Sequence, residues 1–174
     1  MENNTFKNWQ NPEDIIKPDL VNIKGEVVRD KKIGVFIDDV FIPDEIPKYL
    51  DIWVTVDTFE KFTEYIENYY KENSSLPTVI SFDGCLAPEQ DLYMANKVVG
   101  PIFYTRFKKP SGLTCAKWLT EFCKQKDIKL DCKLMIHEEF PQLNSDIGYW
   151  LETFQRGQGI PALVVPFKWK KIKK

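Results

Sequence analysis

Two short apolar segments of this sequence end abruptly in aspartate. Residues 33–37 are followed by Asp38 and Asp39, and residues 78–82 are followed by Asp83. Apolar runs rich in β-branched residues are typical of strands buried in a parallel sheet, and open α/β sheets bind ligands at the carboxyl ends of such strands. Carboxylates that meet there repel one another unless a cation or a proton intervenes. We therefore predict a pocket of the Mg²⁺ type, or the remnant of one, at Asp38, Asp39 and Asp83.

Two other accounts of these acids stay open. Aspartates in such positions are often hydrated, or they accept hydrogen bonds from neighbouring backbone N–H groups. Alternatively Lys32 or Lys133 could neutralise the cluster without a metal. The sequence does not require a cofactor, and Mg²⁺ is the ion that the three aspartates suggest.

The only histidine, His137, directly follows a further apolar run. It is the candidate catalytic residue, because general acid–base chemistry here would have to pair it with a carboxylate. A phosphoesterase that uses two histidines is excluded. The alternative is a structural histidine held by hydrogen bonds. Cys85 with His137 is a weaker nucleophile pair, since a buried thiol is the default for cysteine.

The composition is that of one globular domain. The chain has 174 residues, 43% of them hydrophobic, and a net charge of -2, so there is no global charge that favours nucleic acid. The four cysteines lack CxxC spacing and are expected to be reduced thiols. No apolar run approaches the roughly 20 residues of a membrane span, and we expect no membrane partner.

Apolar periodicity predicts the alternation of strands and helices that is typical of a parallel α/β sheet. Strands are predicted at residues 33–38, 52–56, 78–82, 132–136 and 162–167. Helices are predicted to start at the caps Asp57, Ser111, and Asn144 or Ser145. Right-handed crossovers then give a three-layer sandwich with a mainly parallel sheet.

Other segments divide the chain into three parts. Residues 1–30 are an N-terminal arm with a possible strand at 21–28, residues 31–167 are the α/β domain, and 168–174 are a basic tail. The lysines of the tail are simplest to explain as solubilising, and they are also the one place where nucleic acid could bind. An insertion at about 87–110 has either its own structure or a functional role.

Several segments, taken in order, resemble the cyclic-phosphate processing receiver domains of bacteria and phages. The resemblance covers residues 32–155, apart from the insertion. The segments that carry it are Phe36-Ile37-Asp38-Asp39 with Ile42-Pro43, Ile52-Trp53-Val54, Ile80-Ser81-Phe82-Asp83, Cys115-Ala116-Lys117-Trp118-Leu119 and Ile136-His137. It implies the flavodoxin-like sheet of response-regulator receivers, with the first helix replaced by a proline-containing loop.

The resemblance also implies a pocket that this chain only partly retains. Asp38, Asp39, Asp83 and His137 match the family pattern. The positions of a second histidine, a further carboxylate, a serine and an asparagine are instead held by Gly84, Cys85, Glu138 and Phe140.

These losses favour a non-catalytic binding or assembly module, plausibly a phage protein or virion component, in the cytoplasm of a bacterial host or in a virion. One alternative is a Mg²⁺-dependent phosphoesterase acting on cyclic phosphates of nucleotides or RNA ends, with His137 as acid or base. A second is a phospho-acceptor receiver in which Asp83 is the acceptor, although no lysine is evident after the fifth strand.

Aromatic residues in the insertion and the tail are candidate contacts for a protein partner, because aromatic side chains are enriched at interfaces. The candidates are Phe103, Tyr104, Phe107 and Trp169. Packing of the insertion against its own domain is an equal alternative for the first three.

Overall fold

The computed structural model describes residues 31–96, 101–167 and 170–174. The predicted N-terminal arm with its strand at 21–28 lies outside the described residues, as does Trp169. Among the described residues, none of the helices has both the length and the apolar character needed to cross a membrane.

Five parallel strands form the central sheet, and their order is β3-β1-β4-β5-β6. They are β1 (Ile33–Ile37), β3 (Ile52–Val56), β4 (Val79–Phe82), β5 (Lys133–Ile136) and β6 (Val164–Pro166). Because the short strand β2 lies outside this sheet, the order is the 2-1-3-4-5 arrangement of flavodoxin-like folds. The predicted fold class is therefore confirmed, although β6 is shorter than predicted.

The helices cover one face of the sheet and one end of it. They are α1 (Phe59–Asn73), α2 (Pro88–Ala95), α3 (Gly112–Lys126) and α4 (Pro141–Gly157), with a 3₁₀ turn at Tyr104–Arg106. Apolar stripes on α1, α3 and α4 share one core with the side chains of β1 and β4, as Phe62, Leu119 and Ile147 illustrate. This core fixes the orientation of the strands whose ends form the site.

Two predicted helix starts differ from the structure. Thr58, not Asp57, caps α1, because its Oγ1 accepts the backbone N–H of Lys61, while Asp57 pairs with the Lys61 ammonium group. Helix α4 begins at Pro141 and not at 144 or 145. Proline suits the first position of a helix, since its fixed φ matches and its missing N–H would have no partner there.

The segment 38–51 covers the opposite face of the sheet. All of its residues are described, and it contains no helix. Leu50 and Trp53 pack there against Phe36 and Met135, and Phe167 packs against the same cluster. The predicted replacement of the first helix by a loop is thus confirmed.

A two-stranded antiparallel ribbon lies beside this loop. It pairs β2 (Phe41–Pro43) with β7 (Lys171–Lys173), with Ile42 opposite Ile172. The predicted basic tail therefore contains a strand that pairs with the segment following β1. The ribbon brings the last lysines of the chain to the edge of the sheet where Asp38 lies.

The insertion has its own structure. Its helix α2 contributes Met94 to a small buried cluster with Cys85, Ile102 and Leu143. Gln90 is fully buried and joins the ends of the insertion, since its side chain accepts the N–H of Leu86 and donates to the carbonyls of residues 109 and 110.

All four cysteines are free and buried, and burial raises the pKa of each thiol. We expect the native protein to show almost no reaction with a thiol-specific chromogenic reagent at pH 8, and the unfolded protein to react at four thiols, because the thiolate is the nucleophile. Rapid labelling of even one thiol in the native protein would contradict this packing.

Candidate functional site

Register places three polar residues side by side at the carboxyl edge of the sheet. Phe36 pairs with Ser81 and Ser81 with Met135 on neighbouring strands, so the positions two residues further on, Asp38, Asp83 and His137, are also neighbours. The backbone ladder continues through them, since Asp83 donates to the Ile37 carbonyl and His137 to the Phe82 carbonyl, each at 3.0 Å.

The three side chains converge. One ligand atom from each of Asp38, Asp83 and His137 lies within 4.8 Å of the other two. Asp39, which was predicted to share the site with Asp38 and Asp83, is not part of this group; it is half-buried beside it. The geometry thus joins the predicted catalytic histidine to two of the three predicted metal ligands.

Asp38 is a fully buried carboxylate. Its Oδ1 accepts the backbone N–H groups of Val40 at 2.8 Å and Phe41 at 2.6 Å. Its Oδ2 lies 3.2 Å from His137 Nε2, but the two atoms are not aligned as a hydrogen bond. Burial acts to raise the pKa of Asp38, yet the His137 contact and the two N–H donors outweigh it and leave the pKa below its usual value.

The His137 ring is held on several sides. Its Nδ1 lies 2.7 Å from Ser81 Oγ, and the ring stacks on Phe36 with centroids 4.0 Å apart. Its side chain is only 1% exposed. Burial lowers the pKa of His137 to about 4, although the neighbouring Asp38 opposes this shift. At pH 7 we therefore expect a neutral ring beside an ionised Asp38.

Asp83 sits between like charges. Burial, and then the charges of Asp38 and Glu138, raise the pKa of Asp83 to about 9, which Lys171 partly opposes. Its backbone is fixed by Gly112 at the start of α3: a Cβ on Gly112 would lie 1.7 Å from the Asp83 carbonyl oxygen. Only a glycine lets α3 begin against this strand end.

Two acids extend the cluster beyond the predicted residues. Glu138 is buried, and its Oε1 accepts the N–H of Phe140 at 2.6 Å, while its Oε2 lies where a side chain on Gly84 would stand. The charge of Asp91, on α2 of the insertion, raises the pKa of Asp39 and that of Asp83. Glu138 adjoins His137 in sequence, but nothing local to Asp91 signals that α2 folds over the pocket.

Two lysines of the C-terminal ribbon lie against the residues of the pocket. Lys171 Nζ donates to the His137 carbonyl at 2.9 Å, and Lys174 Nζ donates to the Asp38 carbonyl at 2.5 Å. The predicted neutralising residue Lys133 instead lies over the Tyr49 ring, 4.8 Å from its centroid. Lys171 lies five residues after the end of β6, the fifth strand of the sheet.

The predicted interaction aromatics behave differently from one another. Phe103 is 52% exposed, with the Arg106 guanidinium over its ring. Tyr104 is half-buried and donates to Asp146 Oδ2 at 2.6 Å. Phe107 packs edge-on against Tyr93 and Tyr104. Of these three residues, only Phe103 is largely exposed.

A groove between α3 and α4 presents further aromatic surface that sequence reasoning missed. Tyr149 is 76% exposed and Trp150 is 40% exposed, and Ile128 and Phe154 also line the groove. Lys124 lines this α3–α4 groove and lies over the Phe154 ring. Tyr149 and Trp150 follow the buried Ile147 in an amphipathic helix and lie on its outer face. Their positions in the apolar pattern could therefore have predicted that they are exposed.

Asp83→Asn tests the charge state of the pocket. The protonated Asp83 carboxyl contributes stability that is fully present below its unfolded pKa of about 3.9 and is lost as the pH rises through its folded pKa of about 9. Asparagine does not titrate. In the presence of a chelator, the unfolding free energy of the variant minus that of the natural protein should therefore increase from pH 4 to pH 9. A difference that stays constant in urea titrations across this range would contradict the raised pKa.

Comparisons of the chain with protein-family models, with curated proteins and with solved structures find no match. The resemblance to cyclic-phosphate processing receiver domains therefore remains a prediction, and the site has to be interpreted from its own geometry.

Proposed function

We propose that this protein is a non-catalytic binding module built on a receiver-like domain. One observation carries the proposal: two lysines of the chain's own C-terminal ribbon lie against Asp38 and His137, where the chemistry of the family that the chain resembles would take place. Lys171 and Lys174 donate to the backbone carbonyls of His137 and Asp38, the same two residues that a catalytic role would require.

Burial supports the absence of substrate access. A general acid or base must come within about 2.6–3.2 Å of the proton that it transfers, directly or through one water. The side chains of His137 and Asp38 are 1% and 0% exposed, and the His137 ring is stacked on Phe36. A phosphate ester would have to displace the ribbon to reach either group.

The α3–α4 groove is the surface best suited to a partner. Exposed Tyr149 and Trp150 supply anchors of the residue types that dominate binding energy at interfaces. Lys117 lies over the Trp150 ring at 5.0 Å, and Lys124 and Lys129 line the groove. The apolar lining and its two lysines, which outnumber its single acid, Asp127, fit a protein segment that carries apolar side chains flanked by acids.

A photo-crosslinking residue in place of Tyr149 tests this assignment in extracts of the source cell. We expect one dominant protein adduct, and we expect Lys124→Glu with Lys129→Glu to abolish it without changing the melting temperature by more than a few degrees. The same crosslinker at Glu67, which is exposed on α1, is the matched control. Equal adducts at positions 149 and 67, or an adduct indifferent to charge reversal, would overturn the groove as the binding surface.

A metal-dependent phosphoesterase acting on cyclic phosphates is the second candidate, favoured by the convergence of Asp38, Asp83 and His137. It requires the ribbon to move. Lys171→Ala with Lys174→Ala removes both donors to the pocket carbonyls, so this double variant should hydrolyse 2′,3′-cyclic nucleotides faster than the natural protein if the second candidate is correct. Equal inactivity of both proteins supports the binding module.

A further inference from the structure

We propose that Asp38, Asp83 and His137 form a binding site for a divalent transition-metal ion of the Zn²⁺ class, and that Asp39 takes no part in it. This site is independent of the proposed binding function, which needs no metal. It also differs from the Mg²⁺-type set of three aspartates that the sequence predicts, since it exchanges one carboxylate for an imidazole nitrogen.

Two buried atoms without hydrogen-bond partners carry the inference. Asp38 Oδ2 and His137 Nε2 are both inaccessible to solvent; they lie 3.2 Å apart, but they are not aligned as a hydrogen bond and neither has another hydrogen-bond partner. Buried polar atoms are rarely left unpaired in folded proteins. Both atoms belong to the group that lies within 4.8 Å, together with an Asp83 carboxylate oxygen, so one cation would satisfy them all.

The other polar atoms of these side chains already have partners that orient them. Asp38 Oδ1 is held by the N–H groups of Val40 and Phe41, which directs Oδ2 toward the pocket. His137 Nδ1 lies 2.7 Å from Ser81 Oγ. With a metal on Nε2, Nδ1 carries the proton and donates it to the Ser81 oxygen, since a hydroxyl group can act as acceptor as well as donor. Ser81 would thus hold Nδ1 and orient the ring, as hydrogen-bond partners of metal-binding histidines commonly do.

Ligand chemistry selects the metal. Magnesium prefers oxygen ligands and several waters, whereas imidazole nitrogen suits zinc and neighbouring transition metals. Bonds of about 2.0–2.2 Å to a tetrahedral ion place ligand atoms roughly 3.3–3.5 Å apart, which small side-chain rotations from the present separations would achieve. Three protein ligands leave a position for water.

Local charge also favours a cation. Glu138 and Asp91 add negative charge close to the ligand Asp83, while the ribbon lysines direct their ammonium groups to backbone carbonyls. Lys171 approaches Glu139 only at 3.8 Å, and Glu139 is largely exposed. The ligand carboxylates therefore have no direct ion pair with a lysine among the residues that the structure describes.

Isothermal titration of the chelator-treated full chain with Zn²⁺, Mn²⁺ and Mg²⁺ tests the site. We expect one Zn²⁺ to bind per chain and Mg²⁺ to bind much more weakly. At a Zn²⁺ concentration a hundredfold above Kd, the melting temperature should rise by about 5–10 °C. Cobalt substitution should give visible absorption bands. Asp83→Asn should lose detectable binding while staying folded in chelator, Ser81→Ala should weaken binding about 10-fold, and Asp39→Asn should bind as the natural protein does.

Four results would overturn the proposal. The first three are no stoichiometric binding of any of the ions, stronger binding of Mg²⁺ than of Zn²⁺, and Zn²⁺ binding that survives Asp83→Asn. The fourth is loss of binding in Asp39→Asn, which would restore the three-aspartate set. These experiments measure metal binding and spectra. Their outcome is therefore independent of the crosslinking and hydrolysis experiments that test the proposed function.

Discussion

Gly112→Ala is expected to destabilise the domain by about 3 kcal/mol or more. The new Cβ would stand 1.7 Å from the Asp83 carbonyl oxygen and 2.8 Å from its carbonyl carbon. Both are backbone atoms of a strand end, so relief requires that α3 move away from β4. That movement would also break the hydrogen bond from the Gly112 N–H to the Gly84 carbonyl, now 3.0 Å long.

Gly157→Ala is the matched control. Gly157 also lies in a helix, as the last residue of α4, but a Cβ there would meet nothing within 4 Å. Alanine favours the helix over glycine by about 0.5–1 kcal/mol, so this variant should be slightly stabilised. Urea unfolding of both variants measures the contrast; similar small effects would contradict the tight approach of α3 to Asp83.

Trp53→Ala should cost about 3–5 kcal/mol of unfolding free energy. Trp53 is completely buried and joins the sheet to the loop that replaces the first helix. Its ring meets Phe36 edge-on and Phe167 at a tilt, with centroids 6.0 and 6.2 Å apart, and its Nε1 donates to the Glu45 carbonyl at 3.2 Å. Removing the indole leaves a cavity and frees the loop.

Trp53→Phe separates packing from hydrogen bonding. Phenylalanine keeps much of the apolar contact and loses the donor to Glu45, so we expect a cost nearer 1–2 kcal/mol. Both variants are measured by denaturant unfolding. If Trp53→Ala cost no more than Trp53→Phe, the loop would not depend on this side chain for its attachment to the sheet.

The strands and the fold class were accessible from sequence because burial on both faces leaves continuous apolar runs. The second predicted strand, 52–56, agrees with β3 at both ends, and its Trp53 and Val54 are buried on opposite faces. Helix caps were less accessible. Asp57 and Thr58 are adjacent and both suit an N-cap, and only the tertiary geometry decides that Thr58 takes the position.

The residues at the core of the site could be predicted in part from the sequence. Aligning the strand ends of a parallel sheet places Asp38, Asp83 and His137 on neighbouring strands, and Ser81, two residues before Asp83, faces the same side. The position of the C-terminal lysines beside the pocket could not be predicted from the sequence. Lys174 reaches Asp38 across a sequence separation of 136 residues, and no local pattern shows that a short basic strand pairs with residues 41–43.

Hydrolysis of 2′,3′-cyclic nucleotides by the intact full chain, with Mg²⁺, Mn²⁺ or Zn²⁺ supplied, tests most directly whether the closed pocket is non-catalytic. We predict no turnover above that of Asp83→Asn, because the side chains of Asp38 and His137 are buried and the ribbon lysines lie against both residues. Metal-dependent turnover by the natural protein that disappears in Asp83→Asn would contradict the binding module and establish the pocket as an active site.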